Sequence, residues 1–159
     1  MNDKAPTVSI IMNCYNGDRY LKEAIDSVYS QTFCDWEIIF WDNASTDSSA
    51  EIARTYNNKL KYNISQSNTS LGRARALAVR EASGEYLAFL DCDDLWHEKK
   101  LERQIDKIMN SQGVGLVYCK TNLISENGEI IDKNSTNKPL LEGDVFYNLA
   151  KQNFIPFVS

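Results

Sequence analysis

A chain of 159 residues is long enough for one domain with a real core, and 43% apolar with 25% charged residues is ordinary for a soluble globular protein. A formal net charge of −5 leaves no basic footprint for nucleic acid or anionic lipid, so a substrate carrying phosphates needs local positive charge or a metal. His97 is the single histidine, which gives little support to His-based zinc or Ser-His-Asp chemistry, and no apolar stretch approaches the roughly 20 residues of a membrane span.

The N-terminus, Met1-Asn2-Asp3-Lys4, lacks a signal-peptide apolar region, so a cytoplasmic protein is expected, with peripheral association at the inner membrane face compatible with that. Val8-Ser-Ile-Ile-Met12 predicts a first strand, ending in a turn at Asn13-Cys14-Tyr15-Asn16-Gly17. Leu21, Ala24, Ile25 and Val28 then recur at helical spacing. Trp36-Glu-Ile-Ile-Phe-Trp41 predicts a second strand with Asp42 and Asn43 at its tip. Ser48-Ser-Ala-Glu51 has the form of a capping box and opens a second helix through Ile52, Ala53 and Tyr56. Leu60, Tyr62 and Ile64 alternate, as in an exposed edge strand.

A third helix sets Ala74, Leu77 and Ala78 on one face and is expected to close at Ser83-Gly84, a C-cap signal. Tyr86-Leu-Ala-Phe-Leu90 predicts a buried strand, and Leu101, Ile105, Ile108 and Met109 mark a fourth helix. Val114-Gly-Leu-Val-Tyr118 predicts another buried strand, and residues 122–131 a hairpin turning at Asn127-Gly128. The first two-thirds therefore reads βαβαβαβ. That order predicts an α/β fold: a Rossmann-like, mainly parallel sheet with helices on both faces. Cys14, Cys34, Cys92 and Cys119 form no C-x-x-C pair and read as small buried residues in a reducing compartment.

Sheets of this kind bind ligands at the carboxyl ends of their strands. Here Asn13, Tyr15 and Asn16 follow the first strand, Asp42 and Asn43 the second, and Asp91-Cys92-Asp93-Asp94 the fourth. Crowded carboxylates repel, and a hard divalent ion such as Mg²⁺ or Mn²⁺ relieves them while sharing its oxygen ligands with a substrate's phosphates. The plainer reading of the same residues is a surface turn. No G-x-x-x-x-G-K-[ST] loop and no G-x-G-x-x-G turn is present, so a nucleotide would be held by side chains and metal. Tyr15 offers a flat face for a base, and Asp42 and Asn43 offer acceptors that suit the N3–H of a uracil-like ring. A rim aromatic and a turn before a helix are the bland alternatives.

These pieces together resemble glycosyltransferase family 2. The likeness rests on Val8 to Asn16, Ser27 to Phe33, Trp36 to Asp47, Asn68-Thr-Ser-Leu-Gly72, Gly84 to Asp94 and Lys100-Leu-Glu102, in order, over about residues 7–120 and more faintly to the end. The resemblance implies the GT-A fold and an inverting transferase that takes a nucleotide-diphosphate sugar, UDP- or TDP-linked by preference. It implies Mn²⁺ or Mg²⁺ as cofactor, a saccharide or lipid-linked acceptor, and a product such as cell-surface polysaccharide. Carried over by position, Tyr15 stacks on the base with Asn13 and Asn16 nearby, and Asp42 and Asn43 contact base or ribose. Many members carry Asp where Asn43 stands. Asp93 is the main metal ligand, Asp91 holds ribose or a metal-bound water, and Asp94 reaches the donor sugar. Arg73 and Arg75 stand where the family often has basic residues near the diphosphate, although a solvated helix face explains them equally.

The family's general base lies downstream of the D-x-D. Phe154-Ile-Pro-Phe-Val-Ser159 reads as a cut in mid-domain, so the whole chain is expected to be one incomplete GT-A domain in which no catalytic residue is assigned. Asp106, Asp132 and Asp144 match no motif for the base, and His97 reads as a surface residue. A nucleotidyltransferase would want a glycine-rich basic loop at Cys14–Gly17. A receiver domain would want acid where Asn13 stands. A non-catalytic nucleotide-sugar-binding domain stays open.

Overall fold

The computed structural model describes residues 4–133, 140–152 and 154–155. The chain divides into two compact units, 1–105 and 106–159. In the first, β1 (Val8–Cys14), α1 (Asp18–Tyr29), β2 (Trp36–Asp42), α2 (Ser49–Arg54), β3 (Leu60–Ile64), α3 (Leu71–Arg80) and β4 (Tyr86–Phe89) follow one another, and α4 (Lys100–Met109) begins at its end. The sheet order is β3-β2-β1-β4 and every pairing is parallel, as the βα alternation predicts.

β1 is buried along its whole length, and its side chains alternate between two cores. Met12 and Cys14 join Leu21, Ala24, Ile25 and Val28 of α1 on one face. Ile11 joins Ile39 and Ala78 of α3 on the other. Each such aliphatic side chain removed from water contributes about 1.5–3 kcal/mol, which is why the apolar spacing of α1 decides its orientation. Leu101 and Ile105 extend the first core.

Four local expectations are corrected. Among the described residues β4 pairs only with β1, so it is an edge strand, and Leu87 is exposed rather than buried. Ser48 makes no side-chain cap on α2; Asp47 Oδ1 accepts the Ser49 N–H at 3.0 Å and Asp18 Oδ2 the Ser48 N–H at 3.3 Å, so loop carboxylates do the capping. Gly84 is not the C-cap of α3, which ends at Arg80 with Glu81 as cap. Gly84 is instead where the chain passes directly over β1, and its N–H donates to Ser9 Oγ at 2.8 Å. A Cβ there would stand 2.5 Å from Ser9 N and 2.8 Å from the Val8 carbonyl carbon. Of the four cysteines only Cys14 is buried; Cys34 is exposed, and Cys92 and Cys119 lie between.

A charged network braces the sheet near the same place. Glu37 is buried on β2, and its Oε1 accepts from Ser9 Oγ (2.6 Å), Ser83 N (3.0 Å) and Ser83 Oγ (2.8 Å), while Oε2 meets Lys61 Nζ at 2.6 Å. Burial alone would raise this carboxyl's pKa; the Lys61, Ser9 and Ser83 bonds outweigh it and hold it below the ordinary 4.5. Between the folded and unfolded pKa values the unfolded chain binds more protons, so stability rises with pH across that window. Stability from Glu37 is thus complete above about pH 4.5 and disappears as pH falls through the lower folded value. Urea unfolding at pH 7 and at successive values below 4.5 is expected to show a steeper acid loss for the natural chain than for Glu37→Gln. Parallel curves would remove Glu37 from the account.

In the second unit, β5 (Leu123–Ile124) runs antiparallel to β6 (Ile130–Asp132), followed by α5 (Phe146–Lys151). Gly128 N–H bonds Ser125 O at 2.9 Å and Ser125 N–H bonds Glu129 O at 2.8 Å, so the hairpin turns where Asn127-Gly128 predicts. Val114–Tyr118 is not the buried strand its composition predicts. It finds no strand partner among the described residues, and Leu116 is exposed. Tyr118 is tied instead by its hydroxyl, which accepts the Leu141 N–H at 2.7 Å and lies 3.0 Å from Leu141 O. Residues 156–159 of the terminal run lie outside the described residues.

Candidate functional site

Register brings the strand tips level. Cys14 stands opposite Asp42, and Asp42 opposite Ile64. Ile11 stands opposite Phe89, and Leu90 N–H bonds Ile11 O at 3.1 Å, so the same step carries Asp91 alongside Asn13. The polar residues after β1, β2 and β4 therefore share one rim, as expected for a parallel sheet. Gly17 packs on side chains from both tips: a Cβ there would lie 2.8 Å from the Cys92 sulfur and 2.9 Å from the Cys14 sulfur.

The two loops beyond β1 and β2 are stitched together. Asn16 adopts φ +52°, donates its N–H to Ser45 Oγ at 3.1 Å and accepts the Thr46 N–H on Oδ1 at 2.8 Å. Gly17 N–H donates to buried Ser49 Oγ at 3.0 Å. Ala44, just past β2, has φ +65°, a left-handed backbone uncommon for a residue with a Cβ. Tyr15 is left 52% exposed at the lip, free to offer its ring to a ligand.

Asp42 is enclosed by the protein. It is fully buried, and its Oδ1 accepts the Ser45 N–H at 2.7 Å while Oδ2 accepts the Tyr62 hydroxyl at 2.7 Å. Burial, and then that hydrogen bond to Asp42, push the Tyr62 phenol up to about 12. A buried carboxylate has to be compensated inside the protein, and these two bonds tie Asp42 to the loop and to β3. Asn43 is employed in the same way: Oδ1 accepts from Thr69 N (3.1 Å) and Thr69 Oγ1 (3.0 Å), and Nδ2 donates to Thr69 O at 2.8 Å. It fastens the segment that leads into α3. Sequence reasoning missed Ser49, Tyr62 and Thr69 as partners, because each lies far along the chain from the residue it serves.

Asn13 is different. It is only 8% exposed, and its Nδ2 is a buried donor with no partner among the described residues. An unmet donor at a strand tip needs water or a ligand acceptor. Alternation along β1 puts it on the α3 side, with Ile11.

Asp91-Cys92-Asp93-Asp94 forms a turn closed by Asp94 N–H to Asp91 O at 3.2 Å. Arg75 Nη2 meets Asp91 Oδ1 at 2.7 Å, which separates the two arginines: Arg75 turns into the acidic turn, and Arg73 is exposed on the first turn of α3. Asp93 is exposed, and Asp94 is half-buried. Burial, then the charges of Asp93 and Asp91, raise the Asp94 carboxyl to about 6. Asp91 is thus paired with arginine, while its charge and that of Asp93 still bear on Asp94. Among the described residues no group of three or more His, Cys, Asp or Glu side chains is placed to cage a metal. Asp91 and Asp93 offer an all-oxygen pair that suits Mg²⁺ or Mn²⁺, which commonly take one or two carboxylates and fill the rest with water and phosphate. The residues present fit such an ion.

Residues 9–156 match the family described as glycosyl transferase family 2. Over 141 residues the chain is 36% identical to an uncharacterized glycosyltransferase of Nostoc sp., covering 87% of this chain and 44% of the relative. Its structure is similar to mannosyltransferase PcManGT from Pyrobaculum calidifontis in complex with GDP-Man and Mn²⁺, with TM-score 0.66 and 26% identity over 74% of this chain and 36% of that one. It is also similar to S. aureus TarS 1-349 in complex with UDP-GlcNAc, with TM-score 0.63 and 27% identity over 70% of this chain and 37% of that one. The chain spans 44% to 45% of the length of curated relatives that it matches. Among the described residues no helix is long and apolar enough to cross a membrane.

Proposed function

The chain belongs to glycosyltransferase family 2, and from that membership we propose that it forms the donor-binding portion of an inverting transferase. The reaction moves a sugar from a nucleotide-diphosphate donor, UDP- or TDP-linked by preference, to an acceptor hydroxyl of a saccharide or lipid-linked glycan. The observation that carries this reading is the acidic turn at the tip of β4, with Asp94 raised by its neighbours and Asp91 paired to Arg75. The nucleotide sugars held by two similar structures support it.

In this reading Tyr15 stacks on the base, Asn13 Nδ2 donates to an acceptor on the nucleoside, and Asn16 shapes the loop that carries Tyr15. Asp42 and Asn43 act behind them by holding the loops. Asp93, with Asp91, would hold Mn²⁺ or Mg²⁺. When bound, the ion supplies charge neutralisation at the departing diphosphate. Arg75 orients Asp91 and adds a fixed positive charge beside the diphosphate; Arg73 gives a second, more exposed one. Asp94 accepts from a hydroxyl of the donor sugar. Proton removal from the acceptor needs a general base, a role that no residue of this chain is assigned.

Calorimetric titration of UDP, TDP and GDP with and without Mn²⁺ tests the reading. At least about tenfold tighter binding with Mn²⁺ is expected for one of them, a difference of about 1.4 kcal/mol. Equal affinity in both conditions overturns the metal assignment, and no binding in either overturns the donor site.

A further inference from the structure

The acidic turn runs between two buried anchors. Leu90 is fully buried, and its N–H on Ile11 O fixes it to β1. Trp96, 6% exposed, closes the other end, and its N–H donates to Ser27 Oγ of α1 at 3.2 Å. From there the chain runs against the residues that end α1. Gln31 is buried just past that helix. Its Nε2 donates to Ser27 O at 3.0 Å and to His97 O at 2.9 Å, and its Oε1 accepts the Leu101 N–H at 3.0 Å. Thr32 adds an N–H to Glu98 O at 2.9 Å and an Oγ1–H to Glu102 Oε2 at 2.6 Å.

A side-chain amide suits this place. Its NH₂ group carries two donors, which here meet two carbonyls, and its oxygen accepts an N–H from the first turn of α4. Helix geometry leaves such first-turn N–H groups without a partner inside the helix, so Gln31 caps α4 from outside it. A carboxylate of the same shape would bring no donor and would set negative charge against both carbonyl oxygens.

We propose that Gln31, with Ser27 beside it, is a positioning residue for the acidic turn. The bracket from the end of α1 onto Trp96, His97 and Leu101 sets where Asp93 and Asp94 stand. Asp91 is fixed from the other side, by Arg75 and by the end of β4. Gln31 touches neither metal nor nucleotide; it acts through the main chain that follows Asp94. Groups that converge on one ligand need such support, because misplacement by about 1 Å can cost on the order of a hundredfold. The consequence for nucleotide-diphosphate binding rests on the donor-site reading above; the hold on the turn does not.

The test compares the natural chain with Gln31→Met, which keeps the length of the side chain and removes its polar atoms. Gly84→Ala is the control, since its clash with β1 backbone destabilises the sheet without touching the bracket. In Gln31→Met the amides of Asp94 and Trp96 are expected to exchange faster by more than the loss of global stability in urea accounts for. Mn²⁺-dependent UDP or GDP affinity is expected to fall about tenfold, as when an outer partner of a metal ligand is lost. Gly84→Ala is expected to lose stability and keep both the affinity and the local exchange pattern. Should Gln31→Met fail to fold, Ser27→Ala, which removes only the acceptor of the Trp96 N–H, is expected to show the same two changes in smaller measure. Natural affinity and local exchange in the bracket variant that folds overturn the proposal, and so does an equal loss of affinity in Gly84→Ala. If the natural chain binds no nucleotide, the donor-site reading falls, and amide exchange alone decides the bracket.

Discussion

Asp93→Ala is expected to abolish metal-dependent nucleotide-diphosphate binding while leaving the fold intact. Asp93 is exposed at the corner of the turn, so its removal opens no cavity and strands no buried partner. Surface changes of that kind stay within about 0.5 kcal/mol of the natural stability. Changing even an outer partner of a metal ligand costs about 10- to 100-fold, so losing a direct ligand is expected to weaken binding by more than about a hundredfold. Calorimetry with Mn²⁺ reads the affinity, and a urea curve reads the fold. Unchanged affinity sinks the assignment of Asp93, and a collapsed unfolding midpoint shows that it is a structural residue instead.

Gly84→Ala is expected to act in the opposite way, through stability alone. The added Cβ would meet backbone of β1 at 2.5 Å and 2.8 Å, and backbone in the middle of a sheet has nowhere to go. It would also pry Gly84 N–H from Ser9 Oγ, one step from the Glu37 network. Overpacking a rigid site costs typically 1–3 kcal/mol, and roughly 3 kcal/mol is expected here because the clash is with main chain rather than a side chain. Gly72→Ala is the matched control. Nothing lies within 4 Å of a Cβ there and the residue is in α3, so alanine is expected to stabilise by up to about 1 kcal/mol. Equal effects of the two substitutions in urea unfolding would remove the close-approach argument.

The parallel sheet was legible because its signals are local. A β-branched run buried on both faces, as in Val8–Met12, and the i, i+3, i+4, i+7 spacing of Leu21 to Val28 need no knowledge of the remainder of the chain. The same holds for the hairpin at Asn127-Gly128. Errors arose where a local signal meets a distant partner. The apolar runs Tyr86–Leu90 and Val114–Tyr118 have strand composition, yet burial of a strand depends on neighbours that composition does not contain. Ser83-Gly84 has the look of a helix cap, but the glycine serves a crossing over β1, 75 residues away.

The candidate site divides along the same line. From the order of residues alone came the acidic turn, the aromatic at the first strand's end, and the expectation that three strand tips share one rim. Only the tertiary structure decided which polar groups are committed within the protein. Asp42 and Asn43 are held by Ser45, Tyr62 and Thr69, Arg75 is paired with Asp91, and Asn13 keeps an unmet donor. Side-chain periodicity follows from backbone geometry within a few residues, and so it is written in the sequence. Hydrogen-bond partnership, and the packing of Cys14 and Cys92 on Gly17, follow from register between segments tens of residues apart, which exists only once the sheet has formed.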